Sequence, residues 1–508
     1  MSYCSLGYQQ LAALTLYDAT GDFVSSQAFT LAAFLTGMGL GALLAERRPP
    51  PGWHSLLRLE FALAILGMFT VGYFHLVEML SRYFLPTDLN LGLFAGTLPW
   101  TALFGAMTGL EVPYLLTLNP KISEGRILGW NYFGALLAAV TIPTLFIPFL
   151  DVTGTVLVLG ALNLLLAASL FPMIRASVWD TALATLVATC AIAWFSIEPT
   201  WRETHLKWIY LKPQFHGWNA IGSDLHLLSQ LESPIRKRTA YQWIDIVPPE
   251  FIERILPDAG YNLYLDRKFQ FSSLTHHRYH EAMVHGAASL TPLPPRRVLI
   301  LGGGDGLLLP ELFKYPEIEY IDLVEIDPNM IKLAKENPRL RALNQNALND
   351  PRVRVHVMDA FRFLREGTDR YDLVLADLPY PTSYDLSLLY TVEFYSFLRR
   401  RLEPEGILVL DFPPAERSPT AFSVLVHSLR QAGFKSLHAY GAEEPFVAAT
   451  PSARPLTFDF PKIERFVGNQ ALLNMISRQP QVEEALASPV NVNSIFSPRL
   501  FQNMEKRL

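Results

Sequence analysis

The stretch Val298-Leu299-Ile300-Leu301-Gly302-Gly303-Gly304-Asp305-Gly306 decides the fold, because an apolar run opens directly into a glycine loop. Such a loop lets backbone approach a ligand closely. Downstream the same rhythm repeats, with short apolar runs at 298–301, 320–324, 353–357, 373–376 and 407–410, each followed by helix-like sequence. Strand and helix alternating in this way predict a parallel, doubly wound sheet with its ligand groups at the carboxyl ends of the strands.

The residues at those ends carry chemistry. Asp305 lies in the loop after the first strand and Glu325 follows the second. Their spacing of about 20 residues is where an acid can bind two ribose hydroxyls. Asp359, beside Ala360, follows the third strand and is placed to accept a hydrogen bond from an adenine amino group; Asp377 follows the fourth. Helix capping explains any one of these acids but not the constellation. The loop lacks the Gly-Lys-Ser/Thr of a phosphate-cradling P-loop, and Asp305 would repel a pyrophosphate at the helix N-terminus. An acid there suits a cationic ligand, which points to a sulfonium nucleoside rather than a dinucleotide.

Working outward, residues 241–247 read as a strand and 264–269 as a small hairpin. The other half of the chain has a different composition. Of 508 residues, 50% are hydrophobic and 18% charged, with a mean hydropathy of +0.20. Residues 1–200 hold only 7 Lys/Arg and 11 Asp/Glu, so the front is about 9% charged and the rest about 23%. Uncharged runs at 27–45, 61–77, 89–110, 127–150, 152–174 and 181–197 approach the roughly 20 apolar residues a spanning helix needs, and 6–17 is a partial seventh. Core helices of a soluble protein would show polar faces, and these runs have almost none.

Gly37, Gly39 and Gly41 suit close helix contact in lipid or a flexible turn. Glu60 and Glu111 stand at segment edges and read as interfacial structure, while Asn131 and Asn163 lie inside segments. The Glu46-Arg47-Arg48 loop with Arg58, and the Lys121/Arg126 loop, ask to be cytoplasmic. Six alternating crossings then put residue 198 outside, whereas Arg202, Lys207 and Lys212 ask to be inside. One run is therefore re-entrant, interfacial or double.

A net charge of -5 offers no basic surplus for phosphate-driven binding, which excludes nucleic acid as a partner class. Two cysteines, Cys4 and Cys190, make neither a disulfide framework nor a four-thiolate metal site. The N-terminus shows no basic n-region or cleavage site, so no removable signal is expected. His276 and His277 beside His280 have no matching carboxylate or cysteine cluster, and no metal is expected.

These residues resemble the spermidine synthases, or polyamine aminopropyltransferases, in their bacterial form fused to a multispanning membrane region. In the soluble half the resemblance runs from Tyr241 to Pro414. It rests on Tyr241-Gln242, Leu265-Asp266 with Gln270, Arg278-Tyr279-His280-Glu281 with His285, and the 302–306 loop. It continues through Glu325-Ile326-Asp327, Asp350-Pro351-Arg352-Val353, Asp359-Ala360, Asp377, Leu389-Tyr390 and Glu393-Phe394-Tyr395. In the membrane half it rests on Gly37-Met38-Gly39, Gly109-Leu110-Glu111-Val112-Pro113 and Asn131-Tyr132-Phe133-Gly134.

The resemblance implies a multispanning α-helical membrane region followed by a small β subdomain and a Rossmann-like, methyltransferase-type α/β domain. The expected bounds are 1–198 transmembrane, 199–235 linker, 236–290 β subdomain, 291–460 catalytic domain and 461–508 tail. It implies transfer of an aminopropyl group from decarboxylated S-adenosylmethionine, a co-substrate with no further cofactor, to a diamine such as putrescine. Asp377 would be the general base, and Gln242, Gly302, Gly304, Asp305, Glu325 and Asp359 would hold the nucleoside. His280, Asp305, Asp377 and Tyr380 would line the amine sites, with Tyr279 and Tyr390 as packing residues. The enzyme would sit in the inner membrane as a possible homo-oligomer, its soluble part in the cytosol where the donor is made.

Three departures bear on the acceptor. In Asp377-Leu378-Pro379-Tyr380-Pro381 the family's second acid is replaced by Tyr380. Losing one charged partner of a buried ammonium costs about 2–5 kcal/mol. Thr275 and His276 occupy the place of an acidic pair, and 441–451 shows no counterpart of the aromatic segment that closes over the acceptor. Two alternatives stay open: a methyltransferase-like enzyme, and a membrane transporter or sensor with a non-catalytic soluble half.

Overall fold

The computed structural model describes residues 1–47, 49–85, 89–171, 174, 177–211, 221–248, 260–381, 383–412, 415–441, 445–459, 463, 478–488, 490–497 and 500. The chain forms two compact units, Met1–Arg236 with Asp245–Pro257, and Lys237–Ile244 with Asp258–Leu508.

The first unit is helical: α1 (Ser2–Thr20), α2 (Phe23–Glu46), α3 (Trp53–Phe84), α4 (Leu89–Leu118), α5 (Glu124–Thr141), α6 (Ile147–Leu170), α7 (Val178–Leu211) and α8 (Ile221–Gln230). Gly21 adopts the left-handed conformation that ends α1, and Asp22 starts α2 by accepting a hydrogen bond from the Ser25 amide at 3.0 Å. A π-helical turn, Ile142–Phe146, joins α5 to α6. Asp151 then breaks α6 with φ 56° and caps the following turn by accepting from the Gly154 amide at 2.8 Å. That break separates the two runs read as 127–150 and 152–174. The segment read as a linker is largely helical, since α7 continues to Leu211 before α8 begins.

Among the described residues five helical stretches are long and apolar enough to cross a membrane: Phe23–Glu46, Trp53–Phe84, Leu89–Leu118, Glu124–Leu170 and Val178–Tyr210. Phe23, Leu35, Trp130, Phe149 and Trp179 are exposed on them. The glycines of α2 are contact residues rather than a turn. A Cβ on Gly37 or Gly41 would strike the carbonyl of Ala102 or Ala106, and one on Gly105 or Gly109 of α4 would strike that of Phe34 or Met38. Each helix thus presents a small-xxx-small stripe to the other. Gly39 faces open space.

Glu60 and Glu111 correct the edge reading. They are 0% and 1% exposed, because α3 starts at Trp53 and α4 runs to Leu118, a full turn or more beyond the apolar runs.

The second unit is built on a seven-stranded sheet. Before that sheet the chain forms four short strands, β1 (Ile235–Arg238), β2 (Trp243–Val247), β3 (Asn262–Leu265) and β4 (Lys268–Ser272), ordered β1-β2-β3-β4 in a small separate sheet. β3 and β4 form the expected hairpin, turned by Asp266 and Arg267 at φ 47° and 63°. Then follow α9 (His276–Leu290), β5 (Arg297–Gly302), α10 (Leu309–Leu312), β6 (Tyr320–Glu325), α11 (Pro328–Glu336), α12 (Pro338–Leu343), β7 (Val353–Val357) and α13 (Ala360–Glu366). The chain continues with β8 (Tyr371–Asp377), α14 (Tyr384–Leu388), α15 (Val392–Arg401), β9 (Leu402–Asp411), α16 (Pro419–Gln431), β10 (Ser436–Tyr440), β11 (Phe446–Thr450) and α17 (Gln479–Ala487).

The large sheet has the order β10-β11-β9-β8-β5-β6-β7, parallel from β9 to β7 and antiparallel at β10 and β11. Side chains alternate across it. Leu299, Leu301, Val374, Ala376, Leu408 and Leu410 pack under α13, α15 and α16. Val298, Ile300, Leu373, Leu375, Ile407 and Val409 pack under α9, α10 and α11. Both faces are buried, which is why the strands read as apolar runs rather than alternating ones.

β5 and β6 wind away from β8 and β9, so the sheet's switch point lies at the carboxyl ends of β5 and β8. Part of the presumptive tail is integral to this unit: Asn493 is buried, its carbonyl accepting from the Val392 amide at 2.9 Å and its amide donating to the Ser387 carbonyl at 2.7 Å.

Candidate active site

Gly302 and Asp377 end β5 and β8 opposite one another. Gly302 has φ 82°, and a Cβ on it would strike the Asp377 carbonyl oxygen, so glycine is required twice over. A Cβ on Gly304 would strike the Glu325 carboxyl group. The glycine loop therefore folds against two of the strand-end acids.

On the β5–β6 side Gly304, Glu325, Asp327 and Gln242 are linked by hydrogen bonds, with Asp305 in the same loop. Glu325 accepts from the Asp327 amide at 2.8 Å, and the Gly304 backbone also bonds it. Asp327 caps α11 through the Asn329 amide at 3.0 Å and accepts from the Gln242 side-chain amide at 3.2 Å. Asp305 accepts from the Leu307 amide at 2.9 Å. Burial, opposed by these amides, pushes Glu325 up to about 7 and Asp305 up to about 6.

On the β8 side, Asp377 accepts a hydrogen bond from the Tyr279 hydroxyl at 2.9 Å. Burial and then the Asp305 charge push Asp377 up to about 7, against the pull of that hydroxyl. A carboxylate with a pKa this close to neutrality is suited to take a proton from an amine. Tyr279 is more than the packing residue that the sequence suggests: its ring packs 5.3 Å from Phe446, but its hydroxyl belongs to the site. Tyr390 is buried and donates to the Leu378 and Pro379 carbonyls at 3.3 and 3.2 Å, which anchors the loop after β8. Tyr380, in that loop, packs half-buried against the core beneath α15.

Two residues stand apart. His280 is buried, with Nδ1 donating to the His276 carbonyl one turn back at 2.6 Å. Burial pushes it down to about 4, so its ring is neutral at pH 7. Asp359 is exposed and caps α13 by accepting from the Arg362 amide at 2.8 Å. His285 is structural, bonded to Glu311 at 2.7 Å and to Tyr315 at 2.8 Å. Among the described residues no group of three or more His, Cys, Asp or Glu is placed to hold a metal. Within 441–451, residues 442–444 lie outside the described residues, and 446–450 form β11.

Asp411 escaped the sequence reading, which stops the fifth strand at residue 410. It ends β9 beside Asp377 and is 9% exposed. The signal was present in the sequence, since an acid following an apolar run is what singled out Asp377.

The spermine/spermidine synthase domain matches residues 276–452. A polyamine aminopropyltransferase of Oceanobacillus iheyensis is 32% identical over 423 residues, covering 81% of this chain and 75% of that protein. The chain belongs to the polyamine aminopropyltransferase family. A polyamine aminopropyltransferase of Leptospira interrogans is 29% identical over 100% of this chain and 96% of its own length. A crystal structure of spermidine synthase in complex with the transition state analogue AdoDATO is 23% identical, with a TM-score of 0.41 over 50% of this chain and 85% of that one. As a polyamine aminopropyltransferase the chain is a transferase of aminopropyl groups, and the methyltransferase-like and non-catalytic readings are not favoured.

Proposed function

We propose that the second unit transfers the aminopropyl group of decarboxylated S-adenosylmethionine to a diamine such as putrescine, giving spermidine and methylthioadenosine. The supporting observation is Asp377, a carboxylate with a near-neutral pKa held by Tyr279 at the switch point. The acceptor ammonium gives a proton to Asp377. The freed nitrogen attacks the carbon next to the sulfonium, the C–N bond forms as the C–S bond breaks, and the electron pair stays on sulfur. Gln242, Gly302, Gly304, Asp305, Glu325 and Asp359 hold the nucleoside on the β5–β7 side, leaving the β8 end to the amine with Tyr380 and His280 around it. Asp305, between the two, serves the donor's amino group.

The helical unit, in this reading, spans the inner membrane and keeps residues 236–460 in the cytosol, where the donor is made, and the enzyme assembles as a homo-oligomer. Its five long apolar stretches and exposed aromatic residues support insertion.

The test incubates the full-length enzyme in detergent with decarboxylated S-adenosylmethionine and a panel of diamines. Methylthioadenosine together with an amine heavier by one aminopropyl unit is the expected result. S-adenosylhomocysteine formed from S-adenosylmethionine, with no methylthioadenosine, would overturn the reading.

A further inference from the structure

The acceptor side lacks an acid in the loop after β8, where Tyr380 stands. The neighbouring strand carries one. β8 and β9 run parallel with Leu375 opposite Val409 and Ala376 opposite Leu410, so one further step sets Asp377 beside Asp411. Adjacent strands lie about 5 Å apart. Leu373, Leu375, Ile407 and Val409 all enter the core beneath α9, so by the two-residue period Asp377 and Asp411 project to that same face. From that face Tyr279 donates to Asp377. On its other flank Asp411 pairs with Phe446, whose ring lies 5.3 Å from that of Tyr279. The charge of Asp411 also acts on both Tyr279 and Tyr390. Two acids at neighbouring strand ends that project to one face form a place where a cation can be held between them.

We propose that Asp411 holds the non-reacting ammonium of the acceptor beside Asp377, supplying from the end of β9 the second anion that Tyr380 does not provide. This inference rests on the aminopropyl-transfer reading. Asp411 forms no covalent bond and takes no part in the proton transfer; the transferred proton goes to Asp377. The acceptor class is therefore a short primary diamine carried as a dication.

The test uses full-length enzyme, reading the KM of each substrate and the calorimetric binding of butane-1,4-diamine to enzyme loaded with methylthioadenosine. Asp411→Asn should raise the diamine KM and Kd by about tenfold or more, with the donor KM changed by less than about threefold. Adding Tyr380→Asp to Asp411→Asn should recover most of the loss. Asp411→Glu, which keeps the charge one methylene further out, should shift preference toward propane-1,3-diamine, and it serves if the asparagine variant does not fold. An unchanged diamine Kd in Asp411→Asn, a loss confined to the donor KM, or an unchanged chain-length preference in Asp411→Glu would each overturn the assignment. A wild-type enzyme that makes no methylthioadenosine would sink the transfer reading instead, and the binding arm would still decide whether Asp411 meets the diamine.

Discussion

The two halves of the site are built differently. On the β5–β6 side, the glycine loop, Glu325 and Asp327 lie within 26 residues and bond mostly through backbone amides. On the β8–β9 side, Asp377 depends on a hydroxyl 98 residues away in sequence and has as its neighbour an acid on a separate strand. The first half is local, and the second is assembled by packing. Side chains placed by packing can be exchanged singly, whereas a backbone cradle tolerates little change.

The sharpest way to break this comparison is Asp377→Asn. Removing a general base should lower kcat by about 10²–10⁴ while methylthioadenosine binding survives. If binding were lost as well, the two halves would not be separable. The same variant should melt higher at pH 7. A carboxyl raised to about 7 in the fold binds more protons than in the unfolded chain between pH 4 and 7, so its contribution to stability declines as pH rises through that window. Thermal melts of wild type and variant across that range read this directly.

Gly302→Ala strikes the backbone half. A Cβ at φ 82°, against the Asp377 carbonyl, should cost about 1–3 kcal/mol, seen as a lower Tm and a weaker donor KM. An unaffected Tm would show that the loop has room to move.

Tyr279→Phe sharpens the acceptor half. It removes a hydrogen bond that favours the ionised Asp377, so the acid limb of the kcat/KM profile should move above 7. Turnover at neutral pH should fall about tenfold and recover at higher pH. Asp305→Asn should move that limb in the opposite direction and at least as far, because it removes a negative neighbour and lets the Asp377 pKa fall. A limb that moved with neither variant would assign it to a different group.

Much of this site was legible in the sequence. Strands buried on both faces read as apolar runs, and a parallel sheet places their following residues at one end, so the sequence marks Asp305, Glu325 and Asp377 together; Asp359 follows the same rule but stands apart, exposed at the start of α13. Tyr279 was read as packing because an aromatic residue on a helix gives no sign of where its hydroxyl points. Asp411 is less legible because the apolar run ends at Leu410, while the strand continues through the acid. Glu60 and Glu111 looked like edge residues because the apolar runs end near them, while the helices continue.

Strand order along the chain, the loop that must be glycine and the acids that follow each run were determined by the sequence alone, because they depend on local periodicity and on residues close together. Only the tertiary structure decided which acids are neighbours, which hydroxyl reaches Asp377 and how far each carboxyl is raised. Strand register, helix packing and burial set those distances and fields, and they join residues that the chain itself keeps far apart.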